Sequence, residues 1–144
     1  MKFRILLIVF VLSVALTACG GGVPDAIVEI SGAWARPALA GSDAGVYMAL
    51  FNHATKVDFI TGGAAEIADA VELRLVMIDG NQMQMLRQDQ IKLPANTDFF
   101  LRTGSYHIML ISLKQDLVSG DTFEMTVHFE NSPDASITVT VIDQ

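Results

Sequence analysis

The stretch from Ala70 to Met85 reads AVELRLVMIDGNQMQM, and its reading decides the fold. Before Asp79, apolar and polar side chains alternate: Val71, Leu73 and Leu75 fall on one face, Glu72 and Arg74 on the other. A period of two belongs to a strand, not to a helix. Asp79-Gly80 then separates this run from Gln82 to Met85. An Asp-Gly pair between two such runs marks a tight hairpin, because glycine accepts the positive φ of the turn. Outward from this hairpin, short alternating runs recur between Gly, Pro, Asn and Asp punctuation. Expected strands are Ala26 to Ser31, Gly45 to Phe51, Val57 to Thr61, Ala70 to Ile78, Gln82 to Arg87, Asp98 to Leu101, Tyr106 to Leu113, Thr122 to Glu130 and Ser136 to Ile142. In the second of these, Val46, Met48 and Leu50 face one way, and Tyr47, Ala49 and Phe51 the other. Pro94-Ala95-Asn96 and Ser119-Gly120-Asp121 mark further turns. The Ala-rich stretch Thr61 to Asp69 is the one place that admits a short helix. The spacing predicts an all-β sandwich or barrel in one domain.

The N-terminus follows a different pattern. Lys2 and Arg4 precede an apolar run from Ile5 to Leu16, which is the layout of a secretory signal. The run is shorter than the about 20 residues of a transmembrane helix. Leu16-Thr17-Ala18-Cys19 resembles the bacterial lipobox, in which the cysteine is acylated and becomes the new N-terminus. Cys19 is the sole cysteine of the chain. The expected organisation is a signal peptide over 1–18, a lipidated Cys19 with a glycine tether over 19–25, and a sandwich domain over 26–144. That places the protein on a bacterial membrane, facing the periplasm or the cell exterior. The residue after Cys19 is Gly20, not Asp, and by the sorting rule of enteric bacteria this leans towards the outer membrane.

All sixteen acidic residues follow Cys19, whereas two of the nine basic ones, Lys2 and Arg4, precede it. The remainder therefore carries a net charge of about −9, which repels nucleic acid and anionic headgroups. Beyond Cys19 no disulfide or thiolate metal site is available. The roughly 126 residues left after the leader suffice for one core.

No phosphate-binding glycine loop and no nucleophile elbow occurs, and His53, His107 and His128 have no local catalytic context. An enzyme is not expected. The methionines are the feature that carries chemistry. Met83 and Met85 stand two apart on one expected strand, His107 and Met109 two apart on another, so each pair shares a face. Thioether and imidazole donors suit Cu(I), and thioethers persist where free thiols oxidise. The same pairs also fit plain strand packing, since methionine is a common core filler. Met77 falls on the face opposite Arg74 and is expected in the core. His53 and His128 are expected at the surface.

Three stretches resemble the periplasmic copper chaperone family PCu(A)C: SGAWARPALAGSDAGVYMALFN (31–52), AVELRLVMIDGNQMQM (70–85) and LPANTDFFLRTGSYHIMLISLKQDLVSGD (93–121). The resemblance implies a cupredoxin-like Greek-key β-sandwich that holds copper, mainly Cu(I), outside the cytoplasm. It also implies delivery to an acceptor such as a cytochrome oxidase subunit or its assembly factors. The family motif is His, ten residues, Met, twenty-one residues, His-x-Met. Met85, His107 and Met109 fill three of its positions at matching spacing. The fourth is Arg74, which has no lone pair to donate and keeps its positive charge. Met83 is expected to pack or to support the ligands from behind, and adds a sulfur only if the hairpin twists it round; Arg74 has a same-face partner in Glu72. Trp34, Phe99 and Tyr106 read as packing aromatics, and Arg36 belongs to the resemblance without being a ligand. The alternative is a non-metal binding or structural lipoprotein on the same fold, its copper site decayed.

Overall fold

The computed structural model describes residues 28–144; the signal-like segment and Cys19 lie outside the described residues. Ten strands follow in order: β1 Val28–Ala35, β2 Ala44–Asn52, β3 Asp58–Ala64, β4 Ala68–Asp79, β5 Gln82–Gln88, β6 Ile91–Leu93, β7 Thr97–Leu101, β8 Tyr106–Leu113, β9 Thr122–Phe129 and β10 Ala135–Val141. The architecture is all-β and forms one domain, a cupredoxin-like sandwich. Hydrogen bonding runs β5-β4-β8-β2-β1-β10-β9-β3-β6, with β7 also paired to β2. β5, β4, β8, β7 and β2 make one layer, and β10, β9, β3 and β6 the other. β1 joins them: it pairs antiparallel with β2 along its length and parallel with β10 at Trp34 and Ala35. A register shift between Ser31 and Trp34 bends β1 from one layer towards the other, with Gly32 at φ 60° supplying the bend.

Alternation explains the core. β2 is buried at every second residue from Ala44 to Asn52, as its sequence predicts. Val46, Met48 and Leu50 from β2, Leu73 from β4 and Ile108 and Leu110 from β8 meet Ile60 from β3, Ile91 and Leu93 from β6, Met125 and Val127 from β9 and Val139 from β10 in one cluster. Each such side chain contributes about 1.5–3 kcal/mol by leaving water. The Asp79-Gly80 hairpin forms as read, with Gly80 at φ 59°, and Asn96 and Gly120 take positive φ in the two further turns.

Two expectations need correction. The Thr61 to Asp69 stretch makes no helix; β3 runs on to Ala64, because Gly62, Gly63 and Ala64 still pair with β9. Met77 does lie opposite Arg74's face, yet it is 47 % exposed and outside the core. The cause is that β8 starts only at Tyr106, opposite Leu75, so β4 and β5 run on past the sandwich as a bare two-stranded arm. Among the described residues, Met77, Ile78 and Met83 on that arm are left largely exposed. The short strand β6 was not anticipated; three residues around Lys92 are too few for periodicity to register.

One buried carboxylate locks the layer that holds β3. Asp58 is 2 % exposed. Its Oδ1 accepts the N–H groups of Phe59 at 2.8 Å and Asn131 at 3.0 Å and the Asn131 side-chain amide at 3.3 Å. Its Oδ2 accepts the Ser132 N–H at 3.0 Å and the Ser132 hydroxyl. Burial by itself pushes this carboxyl up. The bonds from Ser132, Phe59 and Asn131 outweigh it and hold the pKa below the ordinary 3.8. Because the folded value lies below the unfolded one, Asp58 stabilises the fold fully above pH 3.8 and loses that contribution as pH falls through the lower, folded value. Asp58→Ala strands several buried donors and should cost about 2–4 kcal/mol in urea unfolding at pH 7. The deficit relative to the native chain should shrink as pH falls below 3.8. A deficit independent of pH would show that the charge plays no part.

Candidate metal site on the outer face of β4, β5 and β8

The outer face of the first layer is set by two registers. In β4–β5, Arg74 pairs with Arg87, Val76 with Met85 and Ile78 with Met83. In β4–β8, Arg74 pairs with His107 and Glu72 with Met109. Directly paired residues share a face. Met85, His107 and Met109 therefore stand on the same side of the sheet, together with Glu72, Arg74, Arg87 and Met83. The side chains form transverse rows: Arg87, Arg74 and His107 in one, Glu72 and Met109 in the next inward, Met85 and Val76 in the next outward.

His107 and Met109 are brought together, two apart on β8. Met85 is brought to their face but not into contact by register alone. With strands about 4.8 Å apart and about 3.4 Å per residue, its Cα lies about 12 Å from that of His107 before sheet twist. The arm carrying Met85 extends beyond the start of β8, and Met85 is 46 % exposed. Met109 is half-buried.

His107 is 3 % exposed and has a fixed orientation. Its Nδ1 lies 3.0 Å from the Ser105 carbonyl oxygen. A carbonyl only accepts, so Nδ1 carries the proton and the neutral ring keeps its lone pair on Nε2. The same carbonyl accepts the Val76 N–H at 3.2 Å. One backbone oxygen thus ties the imidazole to the base of the β4–β5 arm. On the other side stands Tyr47, whose ring centre is 6.0 Å from that of His107 and 4.5 Å from that of Trp34. The Tyr47 ring lies over Gly45, where an added Cβ would come within 2.5 Å of its hydroxyl. Gly45 in turn pairs with Met109. Glycine is required here so that the ring can lie beside the methionine.

Arg74 stands where the family resemblance leads one to expect a fourth donor. It bonds Glu72 through a terminal nitrogen, as its same-face spacing suggested. Glu72 stands in the row of Met109, not that of Met85. Arg87 reaches the other Glu72 oxygen at 3.4 Å. The pairing is incomplete: Arg74 Nε is buried without a hydrogen-bond partner, alone in this among side-chain nitrogens and oxygens of the described residues. Sequence reasoning missed Tyr47 and Arg87. Arg87 was within reach, because the turn at Gly80-Asn81 fixes it opposite Arg74. Tyr47 was not, since the β2–β8 register depends on tertiary contacts.

The remaining candidates lie elsewhere. His53 pairs with Glu29 at 3.0 Å and His128 with Asp134 at 2.8 Å, both on the surface. Phe99 and Tyr106 pack with ring centres 5.9 Å apart. Trp34 is a half-buried rim aromatic. No group of three or more His, Cys, Asp or Glu side chains suited to a metal occurs among the described residues.

Comparison with known proteins gives the family. The description "Putative lipoprotein LpqE-like" matches residues 28–141, and the chain belongs to this LpqE-like family. It is 26 % identical over 117 residues to "Putative lipoprotein Lxx21020" of Leifsonia xyli, spanning 81 % of this chain and 70 % of that one. Among solved structures it is similar to a copper-bound PCuAC domain from PmoF2, with a TM-score of 0.69, 24 % identity and coverage of 82 % and 94 % of the two chains. It is similar also to Cu(I)-bound DR1885 from Deinococcus radiodurans, with a TM-score of 0.64, 23 % identity and coverage of 89 % and 85 %. The fold is thus that of PCuAC domains.

The Ser105 carbonyl sets a spectroscopic expectation. At pH 8 in the absence of metal, ¹⁵N NMR should find His107 with a protonated Nδ1 and a bare Nε2. The reverse tautomer, or an even mixture, would mean that the bond to Ser105 does not orient the ring.

Proposed function

We propose that this chain is an extracytoplasmic copper carrier, tethered to a membrane through acylated Cys19, which holds Cu(I) with Met85, His107 and Met109. The observation that carries the reading is the bare Nε2 of His107, fixed by the Ser105 carbonyl on the sheet face that also presents Met109 and Met85. Copper-bound relatives of the same fold support it. Two thioethers and a neutral imidazole form a soft donor set that favours Cu(I) over Cu(II). Three donors leave an open edge, so an acceptor's ligands can enter before the carrier's leave. The ion is cargo and changes hands without redox chemistry. The acceptor is a copper-requiring protein of the same compartment, of the respiratory-oxidase type. In this reading residues 1–18 are a removed signal, 19–25 the lipidated tether and 26–144 the carrier domain. The relative's name as a lipoprotein supports the tether.

The competing reading is a binding or structural lipoprotein whose copper site has decayed. Arg74 favours it: a guanidinium in the row of His107 repels a cation, and its orphaned Nε marks a poorly accommodated residue. Glu72 offsets that repulsion by holding the guanidinium. Arg74→His should tighten Cu(I) binding, since it removes a charge whose repulsion at about 5 Å is about 3 kcal/mol at an effective dielectric near 20, and it adds a donor. Glu72→Gln should act in the opposite direction and weaken binding roughly tenfold, or about 1.4 kcal/mol, by leaving Arg74 less neutralised.

Anaerobic competition against a Cu(I) chelator tests both readings. One Cu(I) per chain is expected, with strong weakening in Met85→Ala, His107→Ala and Met109→Ala. If the triple variant binds as tightly as the native chain, the assigned ligands are wrong; if the native chain binds no Cu(I), the decayed-site reading stands. The tether has its own test. The native chain should fractionate with membranes, and Cys19→Ser should release it or block its processing. A soluble native chain with a free Cys19 thiol would refute acylation.

A further inference from the structure

Among the described residues the strand order ends on β5 at one side and β6 at the other, and the two edges differ in kind. β6 is three residues long with Lys92 in its centre. Shortness and a lysine are ordinary protections of an exposed edge. β5 has neither. Its seven residues, QMQMLRQ, pair with β4 without a register shift, so no bulge bends the edge away. It holds no proline and no lysine, and Arg87 is its single charge. Met83 is 72 % exposed, Met85 46 % and Leu86 40 %.

The free backbone groups of this edge can be assigned. Asp79 and Gln82 close the two-residue Gly80-Asn81 loop and so exchange hydrogen bonds. Alternate pairs then do the same: Met77 with Gln84, and Leu75 with Leu86. Val76 is in the other phase, and its N–H does point away from β5, to Ser105. The residues opposite the other phase, Met83, Met85 and Arg87, therefore turn N–H and C=O outward. This array is self-complementary. In an antiparallel pairing centred on Met85, each outward-facing residue meets another: Met85 meets Met85, and Met83 meets Arg87. Neither Arg87 then faces its own copy, and each remains beside Glu72 of its own chain.

We propose that the occupant of the β5 edge is a second copy of this chain, joined strand to strand about Met85 into one continuous sheet. The shared face then carries Met83 and Met85 from both copies along the seam, between the two His107 rings. One edge contact buries less than the about 800 Å² per partner of a standard stable interface, so the dimer is reversible and concentration-dependent. The inference rests on the edge and not on copper.

The test uses the full chain in membranes and in detergent, without added metal. In the proposed register the Met85 Cα atoms lie about 5.5 Å apart, within the about 4.4–6.8 Å span of a disulfide. Mild oxidation of Met85→Cys in membranes should give a disulfide-linked dimer, with none from the native chain treated alike. Sedimentation of the native chain in detergent should show mass rising from monomer towards dimer with concentration. Met83→Lys sets an ammonium against Arg87 at both ends of the seam. It should raise the dissociation constant at least tenfold and suppress the cross-link in the Met85→Cys background. Both readouts are taken without copper, so loss of the dimer is read apart from any change in Cu(I) binding that the added charge brings. A monomer at every concentration with no cross-link overturns the proposal. So does a dimer that Met83→Lys leaves intact, or a cross-link to a different protein in place of the dimer.

Discussion

Strand β4 is hydrogen-bonded on both sides, to β5 from Leu73 to Asp79 and to β8 from Ala68 to Leu75. Every side chain of the candidate site owes its place to those two registers. A slip of one residue in either would send half the set to the opposite face. The β5 register is set locally by Gly80, the β8 register by burial of Leu73 against Ile108 on the core side. The chemistry on the outer face is thus positioned by apolar packing on the inner one. Substitutions among the outer residues, Arg74 among them, can alter the charge of that face with little effect on the core.

The electrostatics of the face follow from the same rows. Arg74 and Arg87 are directly paired, and two like charges in that relation repel. Glu72 relieves the conflict by receiving both, one on each oxygen. The arrangement leaves a net single positive charge beside His107 on a chain whose overall charge is −7. It also leaves Arg74 Nε dry and unpaired, at a cost of about 1–3 kcal/mol.

Much of this was legible in the sequence, for physical reasons that vary by element. The strands of β2, β4 and β8 were readable because each buries one face and exposes the other, which imprints a period of two. The common face of Met85, His107 and Met109 was readable from spacing and from the family resemblance. Burial of Met77 was misjudged because periodicity reports which face a residue is on, not whether anything covers that face. The helix admitted at Thr61 to Asp69 failed because Gly62, Gly63 and Ala64 pair with β9, at so close an approach that a Cβ on Gly63 would come within 2.7 Å of the Thr126 carbonyl oxygen. That contact is tertiary, and composition cannot foresee it. Tyr47 escaped notice for a like reason: its role depends on a neighbour sixty residues along the chain, across a register no local signal sets.

The stack of Trp34 on Tyr47, and of Tyr47 towards His107, has a practical side. Trp34 is the sole tryptophan of the chain. Its indole is coupled through one phenol ring to the imidazole, with ring centres 4.5 Å and 6.0 Å apart along the series. Indole emission responds to nearby charge, polarity and metal-induced quenching. The protein therefore carries an intrinsic optical reporter within two rings of its central histidine, free of any competing indole signal. Events at His107 can be followed by ultraviolet fluorescence on the unlabelled chain.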